Sequence, residues 1–425
     1  MRERLLIIGN GMASVRLLEA LVRHESGRFA ITVVGAEPQP GYNRVLLSAL
    51  LAGDVSREDV ELRGRDWYKA RGIELVTGDA VMRVDAGARQ AALASGRAVS
   101  FDACVFATGS EAVRLPLPGI NRPGVMTFRD LGDVAAMEHA AAAGHRIAVI
   151  GGGLLGIEAA YGLAKLGADV TLVHVMDRLM ERQLDGPAAR MLKRAMARRG
   201  VTVMLERQTC EILGATSEAD SPAAGLRFAD GSTLAAGLVV CAVGIKPQAA
   251  LAMRSGLATG RGIIVNDQMA ASEPGFFAIG ECAEHRGVAY GLVEPAYAQA
   301  EVLAAVLCGH SSAFDGLVQS TNLKVSGVPV FSAGDFIGDA TTEQAVLEDG
   351  DLGIYRKLVF KGPRLVGCVL VGDTSDGLWF LDLIRAGTNI EADRADLIHG
   401  PAYVSGGLAS AAREPAATPS LQEAA

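Results

Sequence analysis

Gly151-Gly152-Gly153-Leu154-Leu155-Gly156-Ile157-Glu158-Ala159-Ala160 is a complete dinucleotide-binding fingerprint in the right setting. The apolar run Ile147 to Ile150 precedes it, Leu154 to Lys165 has apolar residues at helical spacing, and Val170 to Val173 follows as a second buried run. Strand, glycine turn, helix and strand in that order make a parallel β-α-β unit. Glycines let such a turn reverse tightly, admit a pyrophosphate against the backbone and bring the helix close to the strand, while free N–H groups at the helix start face the anion. Gly151, Gly153, Leu154 and Gly156 are therefore candidate nucleotide-binding residues. Where the next strand ends, an acid would repel a 2'-phosphate and an arginine would attract one. His174 stands there, with Asp177 and Arg178 close behind, so the choice between NADH and NADPH stays open.

The same arrangement occurs earlier in the chain. Leu5 to Ile8 is a strand, Gly9-Asn10-Gly11-Met12-Ala13-Ser14 a turn, Met12 to Arg23 a helix, and Ile31 to Val34 the next strand. Gly9 permits the turn, Gly11 lets the backbone approach a pyrophosphate, and Ser14 takes the place of the usual third glycine. Glu37, after the second strand, is the carboxylate expected to accept hydrogen bonds from a ribose. Two such units imply an α/β protein with two doubly wound, Rossmann-like dinucleotide-binding domains.

The remaining features bound this reading. The 425 residues exceed one typical core, and a net charge of −8 argues against nucleic acid or an anionic membrane as partner. No uncharged stretch reaches the roughly 20 residues of a membrane helix, and the N-terminal apolar run is cut at Gly9, so a cytoplasmic location is expected. The six cysteines and seven histidines are scattered without metal-ligand spacing, so no metal is expected. A proline cluster at 116–123 and the stretch Gly244 to Pro247 mark domain crossings. The expected division is 1–115 with 240–315, then 116–239, a smaller C-terminal α+β domain over 316–405 built on the hairpin Tyr355 to Phe360 and Leu365 to Val371, and a disordered tail over 406–425.

Together the two turns resemble the FAD-dependent pyridine nucleotide reductases, the glutathione reductase-like group that includes rubredoxin and ferredoxin reductases. Ala107-Thr108-Gly109-Ser110, Ala242-Val243-Gly244-Ile245-Lys246-Pro247 and Phe277-Ala278-Ile279-Gly280-Glu281 resemble its crossing strands and its late flavin motif. Tyr42 to Ser48, Leu179 to Asp185, Gly280 to Gly287 and the run from Tyr355 to Thr374 are closer to the flavoprotein module of assimilatory NAD(P)H nitrite reductase and of nitrate reductase electron-transfer subunits. The resemblance implies an FAD site at Gly9, Gly11, Ser14, Glu37, Arg44, Ser48, Val81, Thr108, Gly109, Gly280 and Glu281, with an NAD(P)H site at the second turn, His174 and Gly244. It places Glu158 near the nicotinamide as the catalytic candidate. Ser48 is also expected to cap a helix, and Arg44 to counter negative charge on the flavin or its pyrophosphate. Ferredoxin reductases carry a lysine after the matching serine, paired with the glutamate at the position of Glu158. Here that residue is Ala49.

The implied activity is electron transfer from NAD(P)H through FAD to a separate redox protein of the ferredoxin, rubredoxin or nitrate/nitrite reductase type, in nitrate or nitrite assimilation. No cysteine precedes Cys104, which excludes a disulfide or sulfenic-acid centre early in the chain. The 425 residues contain no iron-sulfur or sirohaem segment, so the chain itself is not expected to reduce nitrite or nitrate. Two alternatives are an NAD(P)H oxidase or quinone reductase, and an FAD- and NADH-binding signalling protein. A homodimer is left open. Lys193, Arg194, Arg198 and Arg199 read as helix C-terminal cations, or alternatively as a dock for an acidic ferredoxin. Trp379-Phe380 reads as core.

Overall fold

Near-continuous apolar strands demand cover on both faces, and each β-α-β unit supplies it with helices. The computed structural model describes residues 2–24, 26–323, 328–404 and 408. They form two compact units, one of Met1–Leu46, Ser56–Glu111 and Ile245–Leu317, the other of Leu47–Val55, Ala112–Gly244 and Val318–Ala425.

The first unit is built on a parallel sheet in the order Phe276–Ala278, Ala103–Phe106, Glu3–Ile8, Phe29–Gly35, Glu74–Thr77. Leu5, Leu6 and Ile7 on its middle strand are almost wholly buried. The helices Met12–Arg23 and Val293–Leu307 pack on each other. Each strand end therefore points its carbonyl edge toward a turn, where the first glycine motif lies.

The second unit repeats the plan in the order Val201–Met204, Asp169–Val173, Arg146–Ile150, Leu238–Cys241, Val125–Thr127, all parallel. It also holds the antiparallel sheet Ser320–Leu323, Val330–Gly334, Arg364–Val371, Ile354–Lys361, Glu343–Asp349. The helix Gly377–Ala386 covers that sheet, with Trp379 and Phe380 buried in its core. Gly362 at φ +55 turns the expected hairpin between Lys361 and Arg364.

The two units group the chain otherwise than the expected division. The crossings fall after Glu111 and Gly244, the C-terminal sheet groups with the second unit, and the short segment Leu47–Val55 joins that unit as well. The physical reason for the last is packing: a Cβ on Gly162 would lie 2.9 Å from Leu51 Cγ, so the helix Leu154–Lys165 presents a glycine gap that Leu51 fills. The expected tail lies outside the described residues apart from Leu408.

Candidate functional site

In the first turn, Gly9 sits at φ +107 and its N–H donates to the Val34 carbonyl at 2.8 Å. A Cβ there would lie 2.2 Å from the Ala107 carbonyl oxygen, so only glycine fits. Gly11 precedes the helix Met12–Arg23 with no side-chain cap, no acid in the first turn, and open space where a Cβ would stand. Orphan N–H groups beside such a space can receive an anion. Ser14 is fully buried and its hydroxyl donates to the Gly9 carbonyl at 2.7 Å.

The first unit also holds most of the other candidates. Glu37 forms an ion pair with Arg44 and accepts the Tyr42 hydroxyl at 2.7 Å, while the Arg44 guanidinium lies 4.8 Å from the centre of the Tyr42 ring. Arg44 is thus paired with Glu37 and also donates to the Tyr42 hydroxyl at 2.9 Å. The Thr108 hydroxyl donates to the Gln248 carbonyl at 2.7 Å, and Gly109 lies at φ +69 beside Glu281. Glu281 accepts the Ser110 hydroxyl at 2.8 Å. Gly280, at φ +76, has its N–H on Gln299 Oε1 at 2.8 Å and its α-carbon close to Ala13 at the start of the first helix. Val81 opens the strand Val81–Asp85, paired with Leu93 and half-buried.

The second turn repeats the first. Gly151 lies at φ +121, its N–H donates to the Val173 carbonyl at 2.8 Å, and a Cβ would meet the Ala242 carbonyl oxygen at 2.3 Å. Gly153 precedes the helix Leu154–Lys165 without a side-chain cap and with open space at its Cβ position; Leu154 begins the helix. A Cβ on Gly156 would lie 1.9 Å from the Gly151 carbonyl oxygen, so helix and turn touch here. Gly244, at φ +122, accepts the Val113 N–H at 2.9 Å. His174 is buried, and its Nδ1 accepts the Gly152 N–H at 3.0 Å. The ring is therefore turned onto the glycine turn, and its second nitrogen lies 3.0 Å from Glu181.

Glu158 is half-buried on the helix Leu154–Lys165. Burial pushes its carboxyl up to about 7, opposed by a hydrogen bond from the Ser48 hydroxyl. Ser48 is the second residue of the helix Leu47–Leu51, so it serves Glu158 in place of the expected capping role. A carboxyl held there can carry or release a proton near neutral pH.

The model for the pyridine nucleotide-disulphide oxidoreductases matches residues 3–300. The chain belongs to this family. A second model, the rubredoxin NAD+ reductase C-terminal domain, matches residues 320–388. Nitrite reductase [NAD(P)H] of Bacillus subtilis is 46% identical over 92% of this chain and 48% of its own length. The assimilatory nitrate reductase electron transfer subunit of the same organism is 41% identical over 95% of this chain and 52% of its own. The chain thus spans about half the length of these relatives. Among solved structures, the covalent putidaredoxin reductase-putidaredoxin complex matches at 26% identity with a TM-score of 0.86, covering 97% of this chain and 99% of that one. For a member of a disulphide oxidoreductase family the cysteines are notable. Cys104, Cys241, Cys282 and Cys368 are buried free thiols, and burial raises the pKa of each. Such thiols are poor nucleophiles.

Sequence reading missed Tyr42, Ser110 and Gln299, which hold Glu37, Glu281 and Gly280. The partners of Ser110 and Gln299 lie on separate segments, so no local spacing announces them, while Tyr42 reaches Glu37 only five residues away. For His174 a signal existed: the first turn reads Gly-Asn-Gly and the second Gly-Gly-Gly, so the second has room for a ring above it.

Proposed function

We propose that the protein is a cytoplasmic FAD-dependent NAD(P)H reductase that hands electrons to a separate redox protein, in nitrate or nitrite assimilation. The observation that carries this is the doubled turn. Both helix starts, at Gly11 and Gly153, leave uncapped N–H groups beside space that no side chain fills, which fits two dinucleotide pyrophosphates. In this reading the first turn, Glu37, Arg44, Ser48, Val81, Thr108, Gly109, Gly280 and Glu281 hold FAD. Gly151, Gly153, Leu154, Gly156, His174 and Gly244 serve NAD(P)H. Bound FAD supplies the exchange between a two-electron hydride donor and a one-electron acceptor.

The chain's own residues bind, orient and hold a proton. Glu37 keeps acceptor capacity for ribose hydroxyls beyond Tyr42 and Arg44, since a carboxylate has about four lone-pair sites. Arg44 balances the charge of Glu37. Glu281, steadied by Ser110, accepts from a polyol hydroxyl. Glu158, its pKa raised by burial, holds a proton at its carboxyl oxygen, and the Ser48 hydroxyl steadies the ionised form once that proton leaves. A separate acceptor agrees with the names of the relatives, an electron transfer subunit and a putidaredoxin reductase.

The test is steady-state turnover with NADH and NADPH against oxidised ferredoxin, rubredoxin, a quinone and oxygen. Reduction of a protein acceptor well above the quinone and oxygen rates is expected. Turnover with quinone or oxygen alone would replace this reading with the oxidase alternative.

A further inference from the structure

The stretch Leu179 to Asp185 does more than connect a strand to a helix. Its Met180 N–H donates to the Gly152 carbonyl at 2.9 Å, with Met180 itself at φ +51, a left-handed conformation that side chains other than glycine rarely adopt. Leu179 packs against Gly152 so closely that a Cβ there would lie 2.9 Å from its methyl carbon. Glu181 meets His174 Nε2 at 3.0 Å, and His174 Nδ1 takes the Gly152 N–H at 3.0 Å. With Nδ1 taking the Gly152 N–H, Nε2 is the ring nitrogen that donates to Glu181. The peptide groups of Gly152 are thus held on one side by His174 and on the other by Met180.

The far end of that loop is Asp185. Its carboxylate caps the helix Gly186–Arg198 through the Ala188 N–H at 3.2 Å. The other oxygen accepts the Tyr355 hydroxyl at 2.6 Å and lies 3.6 Å from Lys357 Nζ. Tyr355 and Lys357 belong to the strand Ile354–Lys361 of the C-terminal sheet and are both buried. A hydrogen-bonded path therefore runs from the C-terminal sheet through Asp185 and its loop to the second glycine turn. The first turn is tied differently: Asn10 occupies the place of Gly152, and its amide oxygen accepts the Tyr68 hydroxyl at 3.0 Å.

We infer that His174, Glu181, Asp185 and Tyr355 are positioning residues for the second turn, so that the C-terminal sheet sets the affinity for NAD(P)H without touching the nucleotide. The inference rests on the reading of that turn as the NAD(P)H site. It makes His174 a support for the backbone that cradles the pyrophosphate, with no ribose contact of its own.

The test uses the full-length, FAD-loaded protein and four variants. His174→Leu keeps the bulk and removes the acceptor, His174→Asn keeps an acceptor oxygen where Nδ1 stood, and Glu181→Ala and Tyr355→Phe cut the path further out. Flavin content, the dissociation constant of NAD+ and the KM for NADH and NADPH with ferricyanide as acceptor are measured for each. His174→Leu is expected to raise KM and Kd about tenfold, the scale of one lost buried hydrogen bond, with kcat and flavin content kept. Tyr355→Phe is expected to raise them about threefold, the scale of coupling through a packed network. His174→Asn is expected to recover most of the loss. Equal weakening in His174→Asn and His174→Leu would overturn the acceptor role, and native affinity in Tyr355→Phe would overturn the link to the C-terminal sheet. If His174→Leu fails to retain FAD, Glu181→Ala and Tyr355→Phe decide the matter by the same readouts, each expected to raise KM and Kd about threefold. A native protein that binds neither nicotinamide would instead overturn the site reading itself.

Discussion

The two glycine turns follow one backbone path and fill it differently. Gly9 and Gly151 are equivalent: each is at positive φ, each N–H reaches the neighbouring strand at 2.8 Å, and each lies against a carbonyl, Ala107 or Ala242, that excludes a Cβ. Beyond them the turns trade volume. The first has Asn10 against Gly35, with the Asn10 Cβ 3.2 Å from where a Cβ on Gly35 would be; the second has Gly152 against His174. Large and small residues have exchanged places across the same gap. The third position differs as well, Ser14 bonding the Gly9 carbonyl where Gly156 leaves no room for a Cβ. The backbone geometry is thus fixed by two glycines, and the surroundings of each turn are free to specialise.

The largest effect that would break this equivalence is Gly151→Ala. Positive φ and the Ala242 carbonyl together cost about 3 kcal/mol or more, which should appear in thermal denaturation and abolish NAD+ binding measured by calorimetry. Gly156→Ser writes the first turn's residue into the second. The serine has to push the helix Leu154–Lys165 off the Gly151 carbonyl, so weakened NAD+ binding is expected, by at least tenfold for a displacement costing about 1.4 kcal/mol or more. Native affinity in this variant would show that the turns are interchangeable after all.

Glu158→Gln sharpens a different contrast, since the first helix carries Arg16 seven residues after Gly9 where the second carries Glu158 seven after Gly151. The folded-state carboxyl is raised to about 7, so the native state holds the proton more tightly than the unfolded chain. Native stability is then fully present below the ordinary carboxylate pKa and falls as pH rises through about 7. Relative to native, Glu158→Gln should be unchanged in acid and more stable above neutral pH, by on the order of 2 kcal/mol given the exposure Glu158 retains. Denaturant unfolding across that pH range checks it. The smallest expected effect is Ser14→Ala, the loss of one hydroxyl to the Gly9 carbonyl, about 1 kcal/mol by the same unfolding measurement and with FAD still bound.

The periodicity of the chain makes both helices legible. Met12 to Arg23 and Leu154 to Lys165 coincide with the observed elements because glycine breaks and apolar spacing are local signals. The hairpin of the C-terminal sheet is legible for the same reason, alternation around Gly362. What local pattern does not carry is the partner of each site residue. Ser48 looks like a cap and instead serves Glu158 on another helix. His174 stands where a ribose-binding acid is usual, yet its ring turns inward because Gly152 has no side chain to oppose it. The regrouping of Leu47–Val55 has the same origin, a glycine gap at Gly162 that Leu51 fills.

The central claim is that the first turn holds FAD, the second holds NAD(P)H, and electrons pass from one to the other. Anaerobic stopped-flow mixing of the purified native protein and Gly151→Ala with NADH and NADPH tests it most directly. The native flavin absorbance should bleach at least as fast as steady-state turnover, while Gly151→Ala should retain its flavin and stay oxidised. A native protein that carries no flavin, or whose flavin is reduced more slowly than it turns over, would contradict the account, as would a Gly151→Ala flavin reduced at the native rate.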